Sequence, residues 1–327
     1  MAAAVLTLSL AGCFGGDPEV AGALVPSRTA DIARDPTVLV ATTRMPAGDP
    51  VQKPWFTGQR SPDLIFAKAR MNVPDTDPSM MTRVASMVSD DWGVRKVDAL
   101  TRSDAAHAFS QAALGQDVLL YVHGYRESFT SAVSSAAQLS NGIGFRGVTG
   151  LFTWPSAGST LSYVSDRESA MWSRDAMEDL LTAIAKSPSG GRVNIVAHSM
   201  GTLLTLEALR MVRADGGESA MSRIGAVVMA APDIDIDLFA RGLERLGPDA
   251  RKITVISATN DRALAVSSRL AGGIVRAGAA ERERLESLGV RVADASEFSS
   301  SIGINHDLFL SNPDVQQVVK RAIERVL

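Results

Sequence analysis

The segment Val193 to Leu203, Val-Asn-Ile-Val-Ala-His-Ser-Met-Gly-Thr-Leu, constrains this chain more than any other. An apolar β-branched run enters Ala-His-Ser-Met-Gly and passes at once into a helical pattern. A strand that turns this sharply into a helix has the setting of a nucleophile elbow. Such a turn demands small residues two before and two after its apex, and Ala197 and Gly201 meet that demand. The apex, Ser199, must accept strained backbone angles. Its hydroxyl then stands at a helix N-terminus, where backbone N–H groups favour negative charge. A plain N-cap serine is the bland alternative, weakened by the strand before, the helix after and the partners described next.

A serine hydroxyl needs a base to become a useful nucleophile. Only 4 His are present. His198 adjoins Ser199, and its side chain should diverge from that of the serine. His107 and His123 precede the serine, whereas His306 follows the last strand, in Gly-Ile-Asn-His-Asp. In the strand–turn–helix hydrolases the order is Ser, acid, His, so His306 is the candidate base. The acid should follow a late strand. Asp261, just after the apolar run Ile253 to Ser257, is favoured, and Asp233 in Ala-Pro-Asp-Ile-Asp-Ile-Asp is the alternative. The Asp233 to Asp237 cluster also suits a helix start.

An oxyanion hole needs two donors aimed at the developing charge. The N–H of Met200 is one candidate. The second is the N–H of Tyr125, in the His123-Gly124-Tyr125-Arg126 loop after the buried run Val118 to Val122. Gly124 would let the backbone turn, and His123 would shape the loop by hydrogen bonding rather than act as acid or base. Trp154, in Trp-Pro-Ser, would either border the pocket or pack under a loop.

The remaining pattern alternates. Val38 to Ala41, Leu64 to Ala67, Val118 to Val122, Gly150 to Thr153, Val193 to Ala197, Ala226 to Met229, Ile253 to Ser257 and Val290 to Ala293 read as strands. Ser128 to Leu139, Glu168 to Ile184, Leu203 to Val212 and Ile236 to Leu246 have helical spacing. This predicts an α/β fold, a mostly parallel sheet with helices on both faces. About twenty residues separate Asp233 from Ile253, too few for a large cap domain. Ala157 to Ser165 could form a small lid. The pair Gly216-Gly217 reads as a helix terminator.

These stretches together resemble the alpha/beta-hydrolase superfamily, in its esterase/lipase branch, and more narrowly a bacterial group of alpha/beta hydrolases of unknown function. VLLYVHGYRESF, FTWPSAG, VNIVAHSMGT, Ala230 to Asp235, ATNDRAL and His306 carry the resemblance. The group usually has Asn where Arg126 stands. The resemblance implies a two-step acyl transfer through Ser199, with His306 as base and Asp261 as its orienting acid. It requires no cofactor and no metal. The implied substrate is a carboxylic ester of short to medium acyl length, with thioesters and amides open to the same chemistry. A catalytically silent hydrolase-fold lipoprotein with a binding or envelope-assembly role is the alternative from another class.

The N-terminus has its own signal. Ala2 to Leu10 is apolar, about half the ~20 residues a spanning helix needs. Leu10-Ala11-Gly12-Cys13 resembles the lipobox of bacterial lipoproteins, and Cys13 is the single Cys of the chain. Residues 1–12 then read as a signal peptide, 13–36 as a flexible tether and 37–327 as the catalytic domain. This implies a lipid anchor at Cys13 and a cell-envelope location, with Phe14 after the Cys favouring the outer membrane. No Lys or Arg precedes the apolar run, and the first basic residue is Arg28. Without a working signal the location would be cytoplasmic. The 46% hydrophobic content, 21% charged content and net charge of −3 exclude a disordered chain and argue against a nucleic-acid partner.

Overall fold

A computed structural model describes residues 36–48, 53–72, 92–101, 116–159, 161–186, 191–298 and 305–325. Cys13, the proposed signal and tether up to residue 35, and His107 lie outside the described residues.

Among the described residues, nine strands form one sheet. They are β1 (Thr37–Pro46), β2 (Phe56–Met71), β3 (Val94–Leu100), β4 (Val118–Val122), β5 (Val148–Thr153), β6 (Val193–His198), β7 (Ile224–Ala230), β8 (Ile253–Ser257) and β9 (Arg291–Asp294). Their spatial order is β3-β2-β1-β5-β4-β6-β7-β8-β9. All neighbours from β1 to β9 along this order run parallel, while β2 is antiparallel to both β1 and β3. β4 to β8 are the continuous apolar runs of the sequence, and all but β5's Thr149 and Thr153, β6's Asn194 and His198 and β8's Thr254 and Ser257 are apolar or Gly. Strands buried on both faces need such sequences, because helices cover both sides.

Alternate residues of each strand serve opposite layers. Leu120, Val122, Ile195, Ala197, Val227 and Met229 point into one core with helices α2 (Tyr163–Trp172), α3 (Arg174–Lys186), α4 (Met200–Met221) and α5 (Ile236–Leu246). Leu119, Tyr121, Val196, Val228 and Ile256 point into the other. There they meet α1 (Phe129–Gly142) and the C-terminal α9 (Pro313–Glu324). Three shorter helices, α6 (Arg262–Leu270), α7 (Arg282–Ser287) and α8 (Leu308–Ser311), complete the elements used below.

Between Asp233 and Ile253 stand only α5 and a 3-10 turn, Gly247–Lys252, so nothing like a cap domain is inserted there. One local expectation needs correction. Glu168 to Ile184 is not one helix: it breaks at Ser173, whose hydroxyl bonds the Ser169 carbonyl and lies 2.7 Å from Thr43 Oγ1. Gly217, at φ 58 and ψ −146, ends the first helical stretch of α4, and after this kink a second stretch runs to Met221. The strand β3 and the helices α6 to α9 lie outside the expected set. β3 reads Val-Arg-Lys-Val-Asp-Ala-Leu, too charged to resemble the central strands, as suits the edge of a sheet.

The order β5-β4-β6 reverses the chain's direction of travel across the sheet, which is where open α/β sheets form crevices beyond their strand C-termini. The loops after β4, β6, β7 and β8 all emerge at that edge. They carry Gly124, Ser199, Asp233 and Asp261 respectively.

Candidate active site

Ser199 stands between β6 and α4 with φ 49 and ψ −120, left-handed values that a side chain rarely accepts. Backbone bonds hold it there. Its N–H donates to the Ala230 carbonyl at 2.9 Å, and its carbonyl accepts from Thr202 at 3.1 Å and Asp233 at 3.3 Å. The neighbouring chains come so close that only small residues fit. A Cβ on Gly201 would lie 2.3 Å from the His123 carbonyl oxygen, and one on Gly124 would lie 2.9 Å from Ser199 Cβ. These two glycines allow the loop after β4 to pass directly over the turn. The Ser199 hydroxyl has no hydrogen-bond partner among the described residues, and neither the Tyr125 nor the Met200 N–H donates to another described residue. The first N–H groups of a helix have no intrahelical acceptor, which leaves that of Met200 available.

His306 lies in a 3-10 turn, Asn305–Asp307. Its Nδ1 is 2.7 Å from Asp261 Oδ2. Asp261 is held on its other oxygen: Oδ1 accepts the N–H groups of Ala263 at 2.8 Å and Leu264 at 3.2 Å, so the same carboxylate caps α6. Burial works to push the His306 imidazole down, but the Asp261 hydrogen bond and charge, helped by Asp307 and Asp233, raise its pKa above the ordinary value. Burial works to raise Asp261, and its bond to His306 with the two helix N–H donors brings it below the usual carboxylate range. Asp261 therefore stays ionised and His306 can carry a proton stably beside it.

Asp233 is engaged elsewhere. Arg276 Nε lies 3.2 Å from its Oδ1, with both side chains buried, and Tyr163 Oη donates to its Oδ2 at 2.8 Å. Ser267 donates to the same carboxylate. Asp235, two residues on, caps α5 through the N–H groups of Asp237 and Leu238. Of the two candidate acids, only Asp261 bonds His306 in the structure.

The other histidines brace the site. His198 is buried, and its Nε2–H donates to the His306 carbonyl at 3.1 Å, with the two rings 4.6 Å apart. Burial holds it well below the ordinary imidazole value, so it is neutral. His123 is also buried and kept neutral by burial and by the Arg44 charge. Its Nε2 accepts the Trp154 N–H at 3.2 Å, which leaves Nδ1–H to donate to the Gly124 carbonyl at 2.8 Å. Trp154 is wholly buried. It stacks on His123 at 4.8 Å and donates from Nε1 to the His123 carbonyl at 3.0 Å, so it supports the loop from beneath.

Behind this loop lies Arg44, a residue with no signal in the sequence reading. The residue is 1% exposed. It donates to Thr153 Oγ1 at 2.9 Å and to the carbonyls of Thr57, Ser156 and Glu127 at 3.3, 3.0 and 2.7 Å. Burial lowers its pKa to about 10, which still leaves it charged at neutral pH. Thr153 Oγ1 in turn contacts His123 Nε2 at 2.9 Å. One cation thus ties β1, the Trp-Pro-Ser segment and the loop after β4 together. Arg126 in that loop has φ 65, a left-handed value that Asn accepts at less cost than Arg.

Among the described residues, no group of three or more His, Cys, Asp or Glu side chains is placed to hold a metal ion. No helix among them is long and apolar enough to cross a membrane.

A family model described as alpha/beta hydrolase of unknown function (DUF900) matches residues 102–322. An uncharacterized protein of Nostoc sp., alr1448, is 28% identical over 103 residues, which cover 26% of this chain and 27% of that protein. The chain thus matches about a quarter of that relative's length, 27%. Among solved structures, the catalytic core domain of acetyl xylan esterase from Trichoderma reesei is 13% identical with a TM-score of 0.40, covering 65% of this chain and 98% of that one. An esterase from Pyrobaculum calidifontis is 13% identical with a TM-score of 0.38, covering 90% and 87%.

Proposed function

The chain belongs to a family of alpha/beta hydrolases of unknown function, and within it we propose a serine esterase that works through an acyl-enzyme on Ser199. The observation that carries this is the 2.7 Å bond between His306 Nδ1 and Asp261, at the sheet edge where Ser199 turns at φ 49.

In this reading Asp261 fixes the imidazole with its proton on Nδ1, leaving Nε2 as the base. His306 takes the Ser199 proton as Oγ attacks the acyl carbonyl. The developing oxyanion is held by the free N–H groups of Met200 and Tyr125, at the positive end of α4. His306 then passes the proton to the leaving alkoxide, the ester C–O bond breaks, and the alcohol departs. Water enters, gives a proton to His306 and cleaves the acyl-enzyme, restoring Ser199. Each step balances without a cofactor.

Short to medium acyl esters suit a site with one helix and a 3-10 turn between Asp233 and Ile253. Thioesters and amides would use the same residues. Cys13 would carry the lipid anchor, which mass spectrometry of the chain from a bacterial host would detect as an acylated N-terminal Cys. The esterase reading is tested with p-nitrophenyl acetate and butyrate. The chain should hydrolyse both, and Ser199→Ala should abolish hydrolysis while leaving the thermal melt intact. Undiminished hydrolysis by that variant would overturn it.

A further inference from the structure

Among the described residues eight large apolar side chains stand exposed, and six of them fall in two segments, 161–164 and 266–275. Leu161, Val164, Val266, Leu270, Ile274 and Val275 are each between 42% and 95% exposed. Hydrogen bonds place them together. Leu161 and Val164 flank Tyr163, whose Oη is 2.8 Å from Ser267 Oγ, next to Val266. Leu270 follows one turn later on the same helix face. A Gly272-Gly273 turn, with φ 79 and 86, then presents Ile274 and Val275. The Val275 carbonyl accepts from the Ile236 N–H at 3.1 Å, which closes the rim against α5. Single exposed apolar residues need no explanation, but a contiguous set marks an interaction surface.

The charge of the same segment names the partner. From Arg262 to Ala280 there are three Arg and no Asp or Glu, in a chain whose net charge is −3. Arg276 is buried on Asp233, but Arg262 and Arg269 are exposed and have no ion pair among the described residues. The spacing Arg262, Val266, Arg269, Leu270 puts two cations and two aliphatic side chains on one face of α6. Apolar side chains interleaved with Arg on an exposed helix face fit the boundary of a lipid layer with anionic headgroups. The helix begins at Asp261, the candidate acid, so a surface bound there lies against the site.

We propose that the rim formed by α6, the Gly272-Gly273 turn and the start of α2 docks the protein on an anionic lipid surface. It rests on the esterase reading only for its purpose, the presentation of ester-linked acyl chains to Ser199. Docking is read without catalysis, by flotation of the full chain carrying Ser199→Ala and Cys13→Ser, which removes the proposed acylation site, with vesicles of phosphatidylcholine alone or with about 30% phosphatidylglycerol. The anionic vesicles should bind about tenfold more tightly than the neutral ones. Val266→Ser with Leu270→Ser, Ile274→Ser and Val275→Ser should lower that binding about tenfold, as should Arg262→Gln with Arg269→Gln. Both sets, placed in the chain with Ser199 restored, should keep the thermal melt and the hydrolysis of a soluble short ester. Equal binding by the substituted and unsubstituted chains would overturn the proposal. So would light scattering that shows a dimer broken by the rim substitutions, because the rim would then cover a second copy. Failure of the esterase reading is separate: hydrolysis would survive Ser199→Ala while the flotation result stood.

Discussion

Replacing Asp261 by Asn and by Ala separates its two structural jobs. Its Oδ1 caps α6 by accepting from Ala263 and Leu264, and its Oδ2 faces His306 Nδ1 at 2.7 Å. An amide nitrogen cannot accept from the two helix N–H groups. Asn must therefore keep its oxygen on the cap and turn Nδ2 toward His306. That nitrogen donates to Nδ1, which forces the imidazole proton onto Nε2, the atom that should act as base. The wrong tautomer costs about 10⁴ in kcat, or roughly 5 kcal/mol at 1.36 kcal/mol per tenfold. Stability measured by urea unfolding at pH 8 should barely change, because Asn and Asp cap equally well. Asp261→Ala should lose comparable activity and also about 1 kcal/mol of stability with the cap. Asp233→Asn provides the control. It leaves Arg276 buried without its carboxylate, so it should destabilise by about 3–5 kcal/mol, while the surviving folded protein keeps far more activity than Asp261→Asn. An Asp261→Asn enzyme within tenfold of the parent would refute this reasoning, as would a larger specific loss at Asp233.

Three further expectations rest on single positions. Gly201→Ala places a methyl 2.3 Å from a backbone oxygen that cannot step aside, so the chain should lose about 3 kcal/mol or more in chemical unfolding, and the loop after β4 should shift off the site. Arg126→Asn relieves a left-handed backbone at an exposed position and should stabilise by about 0.5–1 kcal/mol, read as a higher melting temperature. The pH profile of kcat/KM should rise through an apparent pKa above the ordinary imidazole value of about 6.5, because the raised His306 must lose its proton to serve as base. For the fold the sign is opposite: the His306–Asp261 pair adds its full stability below about 6.5 and loses the imidazole contribution as pH rises through the raised pKa.

Much of this architecture is legible in the amino-acid sequence. β4 and β8 begin and end where their apolar runs do, and α5 spans the helical run Ile236 to Leu246, because fully buried strands and an amphipathic helix leave sharp composition boundaries. β3 was not legible, since an edge strand exposes Arg95 and Lys96, leaves Asp98 half-buried and carries no apolar run. The sequence favours Asp261 over Asp233 but leaves both open, because both follow strands at the same sheet edge. What separates them is a partner 43 positions away from Asp233, the buried Arg276. Arg44 was invisible for a related reason. Its partners are three main-chain carbonyls and a threonine hydroxyl, which leave no trace in residue types. His198 fell between the two. Its adjacency to Ser199 argued that its ring would point away, and the structure adds that the ring points onto the His306 backbone.

The most direct test of an activated Ser199 is labelling of the purified full chain by a fluorophosphonate, with the adduct located by mass spectrometry. A single adduct on Ser199, formed at a rate that falls sharply in His306→Ala and Asp261→Asn, is the expected result. A folded protein that takes no label on Ser199, or takes it equally in all three forms, would contradict the proposed mechanism.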